Sequence, residues 1–188
     1  IIYFRLMIHP SILKKYTPVT TALAFLGCSS TIFAKALFRR EKEINDLFEF
    51  PWKVTRSQVS GTFDDRLKAL LPLVRSVPNK NLIMPCGEEW CVWLTNNAIS
   101  PDVHSQPAFM AKRLKIRQLS VIFGNGQFSL PSMEFGLLDE RGELVRLLVA
   151  HKESHWTWRE IGEPFPFEDL QAYKAKRIRD RLTTEIIG

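Results

Sequence analysis

Met133-Glu134-Phe135-Gly136-Leu137-Leu138, then Asp139-Glu140-Arg141-Gly142-Glu143, then Leu144-Val145-Arg146-Leu147-Leu148-Val149-Ala150: this stretch decides the fold class. Two apolar runs of strand length flank five turn-forming residues, with Gly142 where a positive φ is needed, which reads as an antiparallel hairpin. Toward the C-terminus, Ser154–Ile161 gives another strand with Trp156 and Trp158 on one face, and Gly162, Pro164 and Pro166 end the sheet. Toward the N-terminus, Gly124-Asn125-Gly126 is a tight-turn signal between Leu114–Phe123 and a strand over Gln127–Leu130. Within Leu114–Phe123 the alternation slips parity, from Leu114, Ile116 and Gln118 to Leu119, Val121 and Phe123. A bulge or burial on both faces would account for the slip. Asn81–Met84 and Trp90–Leu94 are short strands, and Pro101 to Pro107 reads as loop.

Helical periodicity lies outside this region. Leu37–Phe48 is a charged helix whose Arg39–Glu43 and Lys42–Asp46 pairs stand at i,i+4. Phe50-Pro51-Trp52 breaks it, and residues 52–60 read as extended. Thr62 caps a second helix with Asp64 and Asp65 in its first turn and Leu67, Leu70, Leu71 and Val74 as its apolar stripe, limited by Pro72. From about Glu168 a terminal helix is expected, acidic at its start and basic toward its end. The expected architecture is α+β: an antiparallel sheet of about five strands built from hairpins and packed against an N-terminal and a C-terminal helix, in one domain over residues 37–188.

The composition excludes disordered, collagenous and polytopic membrane chains: 188 residues, 45 % hydrophobic and 24 % charged. Of the net charge of +6, residues 1–36 supply +4 and hold no Asp or Glu. That segment reads as a signal peptide or membrane anchor. Met7 is the first plausible start, Lys14-Lys15 the positive region, Val19–Phe33 the apolar stretch densest at Ala22–Leu26, and Ala34-Lys35-Ala36 a small-x-small cleavage site. The uncharged run Tyr16–Ala34 approaches spanning length but carries several Thr and Ser, and Phe25-Leu26-Gly27-Cys28 is an imperfect lipobox. The expected address is therefore periplasmic, secreted or anchored in the inner membrane. The alternative is a cytoplasmic protein in which the segment is a buried helix.

Loss of residues 1–36 leaves two cysteines, Cys86 and Cys91, and export makes them a disulfide candidate that would clamp a tight loop. Their spacing is neither a C-x-x-C dithiol nor half of a two-pair zinc site. His151, Glu153 and His155 would share a strand face and have ligand chemistry, but a polar hairpin surface explains them equally, and no metal is expected. Cys86 or Cys91 with His104 could form a nucleophile and base, but no motif supports the pairing. Gly124-x-Gly126 lacks the helix start and Lys-Ser/Thr of a phosphate loop, so no cofactor is expected.

Two basic clusters invite an anionic partner: Lys112, Arg113, Lys115 and Arg117, and the line Lys174, Arg177, Arg181 on the terminal helix. Trp90, Trp93, Trp156 and Trp158 are candidate recognition aromatics, or the core beneath a recognition face. The reading these signals support is an exported or envelope-associated protein with a non-catalytic binding role. Its partner would be a protein or envelope component, or an anionic membrane surface. The competing readings are a cytosolic nucleic-acid-binding domain using the basic clusters, and a hydrolase whose site no motif marks.

Overall fold

The computed structural model describes residues 15–99, 102–124 and 131–183. Seven strands form one antiparallel sheet: β1 (Ala22–Leu26), β2 (Asn81–Cys86), β3 (Trp90–Thr95), β4 (Gln118–Gly124), β5 (Ser132–Leu138), β6 (Leu144–Lys152) and β7 (Trp156–Ile161). Their order is β2-β3-β1-β4-β5-β6-β7. The α+β class and the antiparallel hairpins stand, and the strand count rises from about five to seven. The turn between β5 and β6 forms as its sequence dictates, with Gly142 at φ +79. The expected strand over Gln127–Leu130 lies outside the described residues.

β1 makes the main difference from expectation. Ala22–Leu26, the densest part of the expected export segment, is the strand between β3 and β4, with Ala24 opposite Trp93 on one side and Ser120 on the other. All five of its residues are buried. An uncharged apolar run of this length suits a strand covered on both faces as well as it suits an export helix, which is why periodicity alone did not separate the two.

The three helices are α1 (Ser30–Leu47), α2 (Phe63–Lys68) and α3 (Ser105–Leu114). One face of the sheet carries Ala22, Ala24, Leu26, Cys91 and Trp93, packed with Phe33 and Leu37 of α1 and Met110 and Ala111 of α3. α1 lies against β2 and β3, and α3 against β1 and β4. The opposite face carries Leu23, Phe25, Met84, Val92, Val121, Phe135 and Leu148, packed with Leu67 and Leu70 at α2 and with Tyr173 and Leu182 of the C-terminal segment. No helix among the described residues is long and apolar enough to cross a membrane.

Three helical expectations change. α1 starts at Ser30, seven residues before the charged stretch, because Ser29 accepts a hydrogen bond from the Ile32 N–H and the apolar positions Phe33 and Leu37 face the sheet. The stretch Pro101–Pro107 is not all loop: α3 begins at Ser105, where Asp102 accepts N–H bonds from His104, Ser105 and Gln106. α3 then runs to Leu114 and stops at Lys115 with φ +54, so the parity slip at 114–119 is the end of a helix followed by a strand, and no bulge is needed. The C-terminal segment has no long helix among its described residues, only single 3-10 turns at Ala172–Lys174 and Ile178–Asp180. α2 keeps the expected cap, a box in which Thr62 and Asp65 bond reciprocally.

The C-terminal segment is held by a buried arginine. Arg146, on β6 and 0 % exposed, donates Nε to Glu168 at 2.9 Å, Nη2 to Glu160 at 2.8 Å and Nη1 to the Gly162 carbonyl at 2.6 Å. Glu168 also accepts from the Phe165 N–H at 2.9 Å and the Tyr173 hydroxyl at 3.0 Å. The chain passes this close only because residue 162 is glycine: φ is +81, and a Cβ there would sit 1.9 Å from the Val145 carbonyl oxygen. Burial would raise the Glu168 pKa, but the Arg146 guanidinium, with the Phe165 N–H and Tyr173 hydroxyl, holds it below the usual carboxylate range.

Two predictions follow from this packing. A chain starting at Leu37 lacks β1 and the first turns of α1, and it is expected to lose cooperative thermal unfolding. A sharp transition with the full-length β signal in circular dichroism would refute the central role of β1. Glu168→Gln leaves buried Arg146 with Glu160 as its one carboxylate partner and is expected to cost about 2 kcal/mol at neutral pH. Because the folded pKa of Glu168 is depressed, its contribution is fully present above the unfolded value of roughly 4.3 and disappears as pH falls through the lower folded value. Urea titrations should therefore show the two proteins converging in stability in acid. A gap independent of pH would contradict the ion pair.

Candidate functional site

The two ends of α1 carry the features with binding or chemical potential. At its head is a cleft of about 340 Å³ lined by Gly27, Cys28, Ser29, Ile32, Glu89, Trp90 and Arg117. β1 builds it: Gly27 still donates to the Arg117 carbonyl at 2.9 Å, and Cys28 then turns back, its N–H donating to Leu26 at 2.8 Å. The Arg117 guanidinium lies over the Trp90 ring, 5.5 Å from its centroid, and pairs with Glu140 at 3.5 Å. Cys28 is half-buried and packs against the cluster that holds Cys91. The Cys91 thiol donates to the Cys28 sulfur, lowering the Cys28 pKa; burial opposes the shift and the Phe33 N–H adds to it. The Cys91 pKa moves up, through the same bond, its burial and the neighbouring sulfurs.

At the tail of α1 the chain exposes an aromatic strip. Leu47 is 75 % exposed, Phe48 62 %, Phe50 37 % and Trp52 59 %. Phe48 stacks on Phe50 with centroids 5.7 Å apart, and Phe50 on Trp52 at 4.4 Å. Beside them is a cavity of about 410 Å³ lined by Lys42, Asn45, Asp46, Phe50, Pro51, Trp52, Lys53 and Val54. The Asn45 side-chain oxygen is buried there without a hydrogen-bond partner among the described residues. Lys42 faces the Phe38 ring at 6.0 Å, and neither Lys42 nor Lys53 has an acidic partner among the described residues.

The residues marked in the sequence are distributed differently from expectation. Cys86 and Cys91 are free thiols. They belong to the cores on opposite faces of the sheet, because Cys86 pairs with Trp90 and Cys91 with Pro85, so adjacent register positions point apart. The expected bridge is not formed in this structure. Trp93 is buried on the α1 side, its indole N–H donating to Asn81 at 3.0 Å, whereas Trp90, Trp156 and Trp158 pack against the other core. The four do not form one face.

The first basic cluster surrounds the end of α3. Arg113 forks onto Glu43 of α1 at 3.0 and 3.1 Å, displacing the expected Arg39–Glu43 pair, and Lys112 and Lys115 are exposed. The second is not a line, since the segment is not a long helix: Lys174 and Arg177 are exposed, and Arg181 folds back to donate to the Ala175 carbonyl at 2.9 Å. His104 is bonded to Glu134 at 3.1 Å, which raises its pKa. His151 faces Thr157 across β6–β7, while Glu153 and His155 occupy the turn. No group of three His, Cys, Asp or Glu among the described residues is arranged to hold a metal ion.

In the sequence Cys28 stands as a lipobox residue and Phe50-Pro51-Trp52 as a helix break. The aromatic spacing at 48, 50 and 52 was the available signal for the second. The first had none, because the Cys28–Cys91 approach depends on β1 lying beside β3. Compared with protein-family models, curated proteins and solved structures, the chain matches none.

The cleft makes a chemical prediction. In folded, reduced protein, iodoacetamide near neutral pH should modify Cys28 well before Cys86 or Cys91, which should react only on unfolding. Mass mapping over time measures this, and comparable labelling of Cys86 would contradict the arrangement.

Proposed function

We propose that the chain is a non-catalytic binding protein that captures an apolar, acidic segment of a partner protein on the strip at the tail of α1. Residues 22–36 stay in the working protein. The carrying observation is the stacked, exposed run Leu47, Phe48, Phe50 and Trp52 beside a cavity. Contiguous exposed aromatic surface of this kind costs solubility and marks interaction sites. The cavity's chemistry supports a peptide occupant. Phe50 and Trp52 offer ring faces to an apolar side chain, the unpartnered Asn45 oxygen accepts a backbone N–H, and Lys42 and Lys53 attract carboxylates. Work at the envelope is compatible with this reading if the address leaves β1 in place; a cut behind Ala36 is not.

Panning a displayed random-peptide library against the full chain is expected to enrich acidic peptides with an aromatic or aliphatic anchor. Trp52→Ala should weaken those peptides by about 2 kcal/mol, roughly 30-fold by fluorescence anisotropy. The thermal transition should be unchanged, because the ring is exposed. Failure to enrich any peptide, or peptides indifferent to Trp52→Ala and Asn45→Ala, would refute the reading. So would Trp52-dependent binding to anionic phospholipid vesicles or RNA in place of peptide.

A further inference from the structure

Cys28 and Cys91 have properties that the binding reading does not use. They differ from each other as an attacking and a resolving thiol must. Cys28 borders an open cleft, and Cys91 is fully buried in the core cluster against which Cys28 packs. The topology holds them together: Leu26 is opposite Cys91 in the β1–β3 register, and the turn at Cys28 brings its side chain back over the same core. The neighbouring Cys91 side chain and the Phe33 N–H favour thiolate over thiol at Cys28, against the opposing effect of burial. The third cysteine is a built-in control. Cys86 is buried on the opposite face, and burial pushes its pKa up.

We propose that Cys28 is a peroxide-reactive site and that Cys91 resolves it to an intramolecular disulfide across the head of α1. The oxidant is a hydroperoxide. The Cys28 thiolate attacks the terminal peroxide oxygen, the O–O bond breaks, Cys28 becomes a sulfenic acid, and the alkoxide or hydroxide takes a proton. The Cys91 sulfur then attacks the Cys28 sulfur. The S–S bond forms, the S–O bond breaks, and the Cys91 proton leaves with the hydroxyl as water. In sum, two thiols lose two electrons and two protons, and the peroxide is reduced to an alcohol (or water) and one water.

Oxidation of Cys28 also prepares the second step. It removes the negative sulfur that, together with burial, kept Cys91 protonated. Two equivalents of a low-molecular-weight thiol restore the dithiol by exchange. The bridge fixes the β1–α1 junction to β3 and withdraws the thiolate from the cleft wall formed with Trp90 and Arg117. The inference rests on retention of residues 22–36, and it is independent of the partner proposed for the strip.

The test uses full-length reduced protein and hydrogen peroxide, read by intact mass and non-reducing peptide mapping. The expected result is a loss of two hydrogen atoms, one peptide pair joined through Cys28 and Cys91, and full reversal by dithiothreitol. Cys86→Ala should behave as the parent does. Cys91→Ala should accumulate a Cys28 sulfenic acid that dimedone traps, and Cys28→Ala should give neither bridge nor adduct. A bridge or adduct at Cys86, or an unreactive Cys28 in the parent protein, would overturn the proposal. The parent's own map decides it should a variant fail to fold. Intact mass of protein from its natural source reports separately whether Cys28 is present, so loss of the segment and lack of reactivity are distinguishable outcomes.

Discussion

The insertion of Ala22–Leu26 between β3 and β4 is the constraint on which the rest of the molecule depends. β1 is the only described strand bridging the β2–β3 hairpin to the β4–β7 meander, and its backbone groups pair on both sides. Without it, two sheet edges would face each other with unpaired N–H and C=O groups, each costly when buried. Its alternation also feeds both cores, with Leu23 and Phe25 on one side and Ala22, Ala24 and Leu26 on the other. Burying Leu23, Phe25 and Leu26 is worth about 1.5–3 kcal/mol for each side chain. The head of α1 and the turn at Cys28 exist only because β1 delivers the chain to that corner.

Local signals in the sequence were enough for the hairpins and not enough for the sheet's centre. The β5–β6 turn was legible because Gly142 and its acidic neighbours specify it locally, and the α2 cap was legible because Thr62 and Asp65 lie three residues apart. β1 was not, since a short buried strand and an export segment share the same composition and only long-range pairing separates them. The C-terminal helix failed for the opposite reason. The charge gradient from Glu168 to Arg181 satisfies a helix dipole, but Glu168 is drawn instead into the Arg146 network and Tyr173 into the core, and tertiary contacts override the propensity.

The candidate sites show the same division. Exposed aromatics at 48, 50 and 52 are visible as letters, while their stacking and the cavity beside them follow from how α1 ends. The cysteine pairing could not be read from spacing. Cys86 and Cys91 are near in sequence and separated by the sheet, whereas Cys28 and Cys91 are distant in sequence and brought to one core by the pairing of Leu26 with Cys91.

The fold also changes the meaning of the charge. Two arginines of the first basic cluster already have partners, Arg113 on Glu43 and Arg117 on Glu140 and Trp90, and Arg146, outside both clusters, is buried on Glu160 and Glu168. An arginine already forked onto a carboxylate must break that pair before it can hold a phosphate, so these positions contribute little to counterion release. Lys42 and Lys53, without acidic partners among the described residues, stand beside stacked rings and an unpartnered amide oxygen. A cation next to apolar surface and a backbone-type acceptor suits a peptide carrying a carboxylate better than a regular phosphate lattice. In the proposed binding role, that combination counts for more than the total of +6.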